Sequence, residues 1–394
     1  MEQMRFETGD LQQEAPKRIR ERRPRRKKVR RLLLATALVL AVVAAFVLLD
    51  RTAFDGLRRG IAYMQAEKDE NGCAKLYQYS GDGTGCYADL DGSLLVASGK
   101  EITLLDDKGN TVYHTALQAG QVTVTAKDGF AAVYEIGGKN LYLLDAGGLV
   151  KEMALEGEIY SAEMGRGGKF AVTLKKTGYK TAVTVYNGKG EPLYAFNSAQ
   201  KYLMTAAVSE NGNYMAAAAM GQDSGSFTSS LQIYKLTSDA VQADAALAGG
   251  VYELGTVDSR FCAATDKALC FVKTDGVVST YDYRGANLAR CSINGGKFAA
   301  VLLENYSSGG LTHLATVNAA GEEIAALTVE SEVLDLSAAG RYLAVLYSSR
   351  LVIYDRNLRQ CAALEDVSFA RRVLMRSDGS AVLAGTNFAS LYLP

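Results

Sequence analysis

A two-residue turn, Asp-Gly or a close variant, returns eight times at a nearly constant interval, and few folds tolerate that spacing. The turns are Asp91-Gly92, Asp128-Gly129, Gly167-Gly168, Asn211-Gly212, Asp258-Ser259, Gly295-Gly296, Ala339-Gly340 and Asp378-Gly379, with second residues 37, 39, 44, 47, 37, 44 and 39 positions apart. Around each turn lie short runs of β-branched, aromatic or small apolar residues, the composition of strands. Residues 122–155 and 334–364 show the unit, and 373–394 show it as far as the third strand: strand, turn, strand, short connection, strand ending in a polar residue, turn, strand. A period of about 40 with four short strands per copy predicts an all-β fold, an eight-bladed β-propeller, with seven blades as the alternative count.

The physics of the unit supports that fold. One four-stranded sheet cannot bury both of its faces, but radial stacking covers each blade with its neighbours. Stretches that are apolar on both sides, such as 214–220 and 297–303, then have somewhere to go. The 39 Gly against four Pro fit many tight hairpins and few stiff linkers. The eighth copy stops after its third strand, whereas KLYQY at 75–79 precedes the first complete copy without a partner. That segment is expected to supply the missing outer strand, so that no edge is left open.

The net charge of zero conceals an asymmetry. Residues 1–31 hold 12 Lys/Arg against five acids, so +7 at one end balances −7 in the rest. Residues 32–49 follow, with Thr36 as the only polar side chain. As a helix, 18 residues would span roughly 27 Å, close to the hydrocarbon thickness of a bilayer. A secretory signal peptide would have a shorter apolar region and a shorter basic leader. The pattern therefore predicts an uncleaved transmembrane helix over 32–49 and a basic cytoplasmic tail over 1–31, followed by a juxtamembrane stalk over 50–71. The propeller, 72–394, lies outside the cell membrane. Arg22, Arg23, Arg25, Arg26, Lys27, Lys28, Arg30 and Arg31 set the topology and rest on anionic lipid. The basic run contains no aromatic residue to stack on a base, so no nucleic-acid partner is expected.

Leu105-Asp106, Leu144-Asp145 and Tyr354-Asp355 end third strands where a WD40 repeat carries Trp-Asp. On these residues the repeats resemble WD40 and quinoprotein-like propellers. The chain has no Trp at all. Quinoprotein dehydrogenase repeats resemble one another through a docking Trp, so the resemblance does not extend to that enzyme or its cofactor. The whole layout is similar to a family of membrane-anchored propeller proteins of Gram-positive bacteria, a domain of unknown function. That resemblance implies no activity.

Chemistry-bearing motifs are sparse. The two histidines, His114 and His313, fall in strands of the first and sixth blades and cannot make a His-based zinc motif. Six Cys (73, 86, 262, 270, 291, 361) include no CxxC. If Asp266-Lys267 is a two-residue turn, Cys262 faces Phe271 and Ala263 faces Cys270, so the two thiols point to opposite faces. Disulfides are open to an extracytoplasmic domain, but buried free thiols are the expectation. The acid pairs Asp106-Asp107 and Glu322-Glu323 sit at turns, where carboxylates cap backbone amides. No GxSxG, Walker-type loop or dinucleotide fingerprint is present, and no cofactor is expected.

Loop length offers the one recognition signal. Connections between second and third strands are longer at 175–181, 221–230 and 306–310, and all would emerge on the rim that also carries the blade-to-blade crossings. Tyr179, Lys180, Asp223, Phe227 and Tyr306 on those loops form the candidate partner-binding rim. The reading is a non-catalytic scaffold for an envelope protein partner. One alternative is a glycan- or small-molecule-processing enzyme using the central channel. The other is a ligand sensor signalling through the cytoplasmic tail. Clustered carboxylates in the channel would favour the enzyme, and a channel filled by side chains the scaffold.

Overall fold

The computed structural model describes residues 33–39 and 72–394, apart from 82, 224–225, 239 and 306–310. The chain divides into two units, Met1–Ala53 and Phe54–Pro394. In the first, residues 33–39 are helical with exposed side chains. Among the described residues no helix is long and apolar enough to cross a membrane. The basic run 22–31, most of the span 32–49 and the stalk 50–71 lie outside the described residues.

The second unit consists of eight four-stranded antiparallel sheets, which settles the blade count at eight. Blades 1 to 7 cover 86–116, 122–154, 159–198, 202–247, 251–282, 287–329 and 333–365, each taking its strands in chain order from the axis outward. Blade 8 has three strands of its own, Arg372–Met375, Ala381–Ala384 and Phe388–Tyr392, and takes its outermost strand from Cys73–Gln78. The register runs from Cys73 opposite Tyr392 to Gln78 opposite Phe388. The closing strand thus starts two residues earlier than KLYQY. Tyr79 follows it as a clamp, its hydroxyl 2.9 and 2.8 Å from the carbonyl oxygens of Gly385 and Phe388.

The core is divided into eight slabs, one between each pair of neighbouring blades. In blade 4, Met215, Ala217 and Ala219 pack towards blade 3, while Ala216 and Ala218 pack towards blade 5. Period-2 alternation therefore serves two apolar environments, and strands of this kind show no polar face in the sequence. The register between Arg260–Thr265 and Ala268–Val272 also follows the turn: Cys262 pairs with Phe271 and Ala263 with Cys270. Cys262 packs in the blade 5–6 slab and Cys270 in the blade 4–5 slab. None of the six cysteines is in a disulfide. Cys262 and Cys270 are buried as expected, Cys73, Cys86 and Cys291 only partly, and Cys361 is exposed.

The recurring turns explain their own residues. Asp91 and Gly92 have φ of 49° and 102°, the left-handed pair that a two-residue hairpin needs. A Cβ on Gly129 would sit 2.3 Å from Asp91 Oδ2, so the turn tips of blades 1 and 2 touch. The carboxylates that end third strands cap the following turn. Asp106 accepts the amides of Lys108 and Asn110, both at 2.8 Å, and Asp355 those of Asn357 and Arg359 at 2.8 and 2.9 Å. The turn hydrogen bonds of Asn110 hold the Asp106 carboxyl below its usual range. Of the acid pair at 322–323, Glu322 accepts from Asn318 within its turn, whereas Glu323 accepts the hydroxyl of Tyr281 from blade 5.

Innermost strands are edges facing the axis, and side-chain hydroxyls satisfy part of them. Thr125, Ser292 and Ser337 each accept an amide of the next blade's innermost strand, from Met164, Ala338 and Met375, at 2.9, 3.0 and 2.9 Å. The innermost strands of blades 3 to 7 also carry a β-bulge near their start, which leaves Tyr160, Met204, Tyr252, Ala289 and Leu334 out of the pairing. Bulges re-aim side chains and blunt edges.

Candidate functional site

Two rims follow from the strand order. One carries the first-to-second and third-to-fourth strand turns; the other carries the second-to-third connections and the blade crossings. The sequence placed its candidates on the crossing rim, and the structure treats them unequally. Tyr179 lies in the connection between Phe170–Leu174 and Thr181–Tyr186 and is 45% exposed. Lys180 beside it places its ammonium 5.1 Å from the centre of the Tyr202 ring. The supposed loop 221–230 is mostly a hairpin, a correction to the sequence reading. The strands Tyr214–Asp223 and Ser226–Lys235 stay in register to Asp223 opposite Ser226, because the Ser/Thr-rich segment is compatible with pairing. Gln222 faces Phe227 in that register, so Asp223 and Phe227 occupy strand positions beyond the end of the neighbouring inner strand. Tyr306 lies outside the described residues.

The same rim carries exposed apolar residues that the sequence reading missed. Tyr202 opens the innermost strand of blade 4 and is 51% exposed; the bulge residues Met204 and Tyr252 are 46% and 69% exposed; Ile136 stands in the corresponding connection of blade 2. Together with Tyr179 they occupy blades 2 to 5, one half of the ring. A scattered exposed apolar residue needs no explanation, but a run of large ones on adjacent blades does.

Towards the opposite, turn rim, polar side chains of separate blades meet. Lys127 of blade 2 donates to Glu210 of blade 4 and to Thr256 Oγ1 of blade 5 at 2.7 Å, and the Thr256 hydroxyl donates to Glu210. Blades 2 and 5 are not neighbours, so these bonds cross the axis. The turns of blades 5, 6 and 7 are joined as well: Asp258 N donates to Gly296 O at 2.6 Å and Gly340 N to Gly295 O at 3.0 Å. The turn-rim end of the axis is bridged by protein.

Two carboxylates above that bridge have no cationic partner within ion-pair distance among the described residues. Burial pushes the Glu163 carboxyl up to about 8, and the charge of Glu253 pushes the same way. Its hydrogen-bond donor is Thr125 Oγ1, at 3.3 Å. Burial also raises Glu253, which accepts the thiol of Cys291 at 3.1 Å. By contrast Asp335 pairs with Arg372 at 3.3 Å and Asp89 accepts Arg376 Nε at 2.7 Å. His114 is hydrogen-bonded to Thr103 at 3.2 Å, and His313 stands 3.9 Å from Glu323.

The Glu163 shift has a definite pH consequence. Its folded value lies above the unfolded one, so the folded state holds a proton that the unfolded chain has lost between about pH 4.5 and 8. Stability must fall as pH rises through that window and stay reduced above it. Glu163→Gln is expected to match the native protein near pH 4.5 and to exceed it by roughly a few kcal/mol at pH 9. Urea midpoints across pH 4.5–9 check this; equal curves for both proteins at every pH would refute it.

Residues 69–363 match the family of unknown function DUF5711, from just before the closing strand into the outermost strand of blade 7. The chain belongs to the DUF5711 family. No curated protein matches it. Among solved structures, the DUF5711 propeller is similar to the C-terminal WD40 domain of Sif2, at TM-score 0.56 and 11% identity over 81% of this chain and 97% of that one. It is also similar to BamB from Moraxella catarrhalis, at TM-score 0.51 and 13% identity over 80% and 99%. At these identities the likeness is one of fold. The WD40-like character of the repeats therefore holds for architecture, with turn-capping acids where the Trp-Asp pairs would stand.

Proposed function

We propose that this DUF5711 protein is a membrane-anchored, extracytoplasmic propeller acting as a non-catalytic scaffold, and that it binds a protein partner through its crossing rim. The observation that carries the reading is the exposed series Ile136, Tyr179, Tyr202, Met204 and Tyr252 on one rim, over blades 2 to 5. Aromatic residues held on a rigid scaffold provide large contact area at small entropic cost. The side chains bridging the axis at the turn rim favour the scaffold over a through-channel. The span 32–49 and the basic run 22–31 support anchoring to a bilayer with the N-terminus inside, as in the Gram-positive family the layout resembles.

Replacing Tyr179, Tyr202 and Tyr252 together by Ala is expected to abolish crosslinking to the partner in intact cells while shifting the melting temperature little, because all three are exposed. An unchanged set of crosslinked proteins would remove this reading. The rival, an enzyme using the channel, rests on Glu163 and Glu253. It requires that Glu163→Gln abolish the biological activity while the partner remains crosslinked.

A further inference from the structure

A cleft of about 620 Å³ opens on the turn rim, away from the apolar rim, where turns of blades 4, 5 and 6 converge. Its size is that of a small-molecule site. Three cations line it: Arg260 at the start of the second strand of blade 5, Lys273 in the third-to-fourth strand turn of that blade, and Lys297 before the second strand of blade 6.

Their partners are the informative feature. Arg260 donates from its guanidinium to the neutral hydroxyl of Ser279 at 2.9 Å, which fixes its position without cancelling its charge. Among the described residues, none of the three forms a salt bridge, although Asp258 and Asp275 also line the cleft. Asp275 is committed to its own turn, where Oδ1 accepts the amide of Val277 at 3.1 Å. Elsewhere on the propeller, Lys127 and Arg376 reach a carboxylate, while Lys151, Lys169 and Arg290 donate to a carbonyl oxygen of the next blade. Here three are left to solvent around one concave surface, with the amide side chains of Asn211 and Asn318 and the hydroxyls of Ser259 and Thr274 among them.

We infer that this cleft binds a small oxyanion carrying two or more negative charges. Lysines act as point charges towards phosphate or carboxylate oxygens, and the guanidinium adds a fixed donor fork. The site is open, so binding must weaken as salt screens it.

Isothermal titration of the full chain with inorganic pyrophosphate, and separately with citrate, at low ionic strength tests the inference. Saturable binding of either anion is expected, weakened at least tenfold in the double variant Lys273→Gln/Lys297→Gln and further in Lys297→Glu. The melting temperature of the unliganded variants should stay near that of the native protein. Binding of pyrophosphate alone would assign a phosphate ligand, and equal binding of citrate an oxyanion site indifferent to its carrier. Absence of saturable binding by both anions, or binding unaltered by the substitutions, would overturn it.

Discussion

Deleting residues 72–80 is expected to abolish cooperative folding of the propeller. The deletion strips blade 8 of its outer strand and leaves the outer edge of Phe388–Tyr392 unpaired. It also removes Tyr77 and Tyr79 from the slab between blades 8 and 1. Burial of two large aromatic side chains contributes on the order of 1.5–3 kcal/mol each. The lost ladder and the opened edge add to that, and the sum rivals the whole stability of a typical domain, about 5–15 kcal/mol. Thermal unfolding should lose its single transition. A graded version is Tyr79→Phe, which removes only the hydroxyl shared by Gly385 O and Phe388 O and should cost about 1–2 kcal/mol. A deletion variant melting like the native chain would mean that the ring does not depend on its first strand.

Breaking the Arg376–Asp89 pair should cost nearly as much as any single substitution can. Arg376 belongs to the loop after the inner strand of blade 8, yet it donates to Asp89 Oδ1 at 2.7 Å and to Gly92 O at 3.2 Å in blade 1. Its charge also acts on the buried Tyr77 of the closing strand. One side chain thus joins all three pieces of the closure. Burial raises the Asp89 carboxyl even with the guanidinium beside it. Without Arg376 the ionised form is left buried and unpaired, so Arg376→Ala is expected to lose about 3–5 kcal/mol at neutral pH. The loss should shrink as pH falls, because protonation of Asp89 relieves the unpaired charge. The double variant Asp89→Leu/Arg376→Met should recover most of the stability, since apolar replacements of a buried pair are often tolerated. Denaturant unfolding of the native protein and the two variants at pH 5 and 8 measures both effects. A double variant as weak as Arg376→Ala would show that the pair itself, and not the stranded charge, matters.

The architecture was legible because its repeating element is local. A pair such as Asp91-Gly92 fixes a hairpin, and the hairpin fixes the register of two strands. Even the opposite facing of Cys262 and Cys270 followed from one turn length. The rim was legible only in part. Tyr179 was found through loop length, but Met204 and Tyr252 depend on bulges, and a bulge is one residue out of step in a strand already apolar on both sides. Gly221–Ser230 misled because turn-rich composition was read as loop where strand pairing continued. The axis residues left a fainter trace. Glu163 and Glu253 are single acids inside otherwise uncharged inner strands, a pattern that could have been noticed. That Lys127 meets Glu210 and Thr256 depends on where three separate blades place their ends, and no spacing along the chain encodes it.

The strand Cys73–Gln78 is made first among those of the propeller and paired last. Its partner, Phe388–Tyr392, leaves the ribosome roughly 15–60 s later at synthesis rates of about 5–20 residues per second. For that interval seven blades can form in order, each covering the previous one, while the leading strand waits with its backbone unsatisfied and the first slab open. The waiting strand carries Lys75 and Gln78 among its six residues, CAKLYQ, and is a poor template for pairing with another copy. Completion of the ring is therefore a timed event, and a stalled nascent chain would remain vulnerable to proteases until its final five-residue strand arrives.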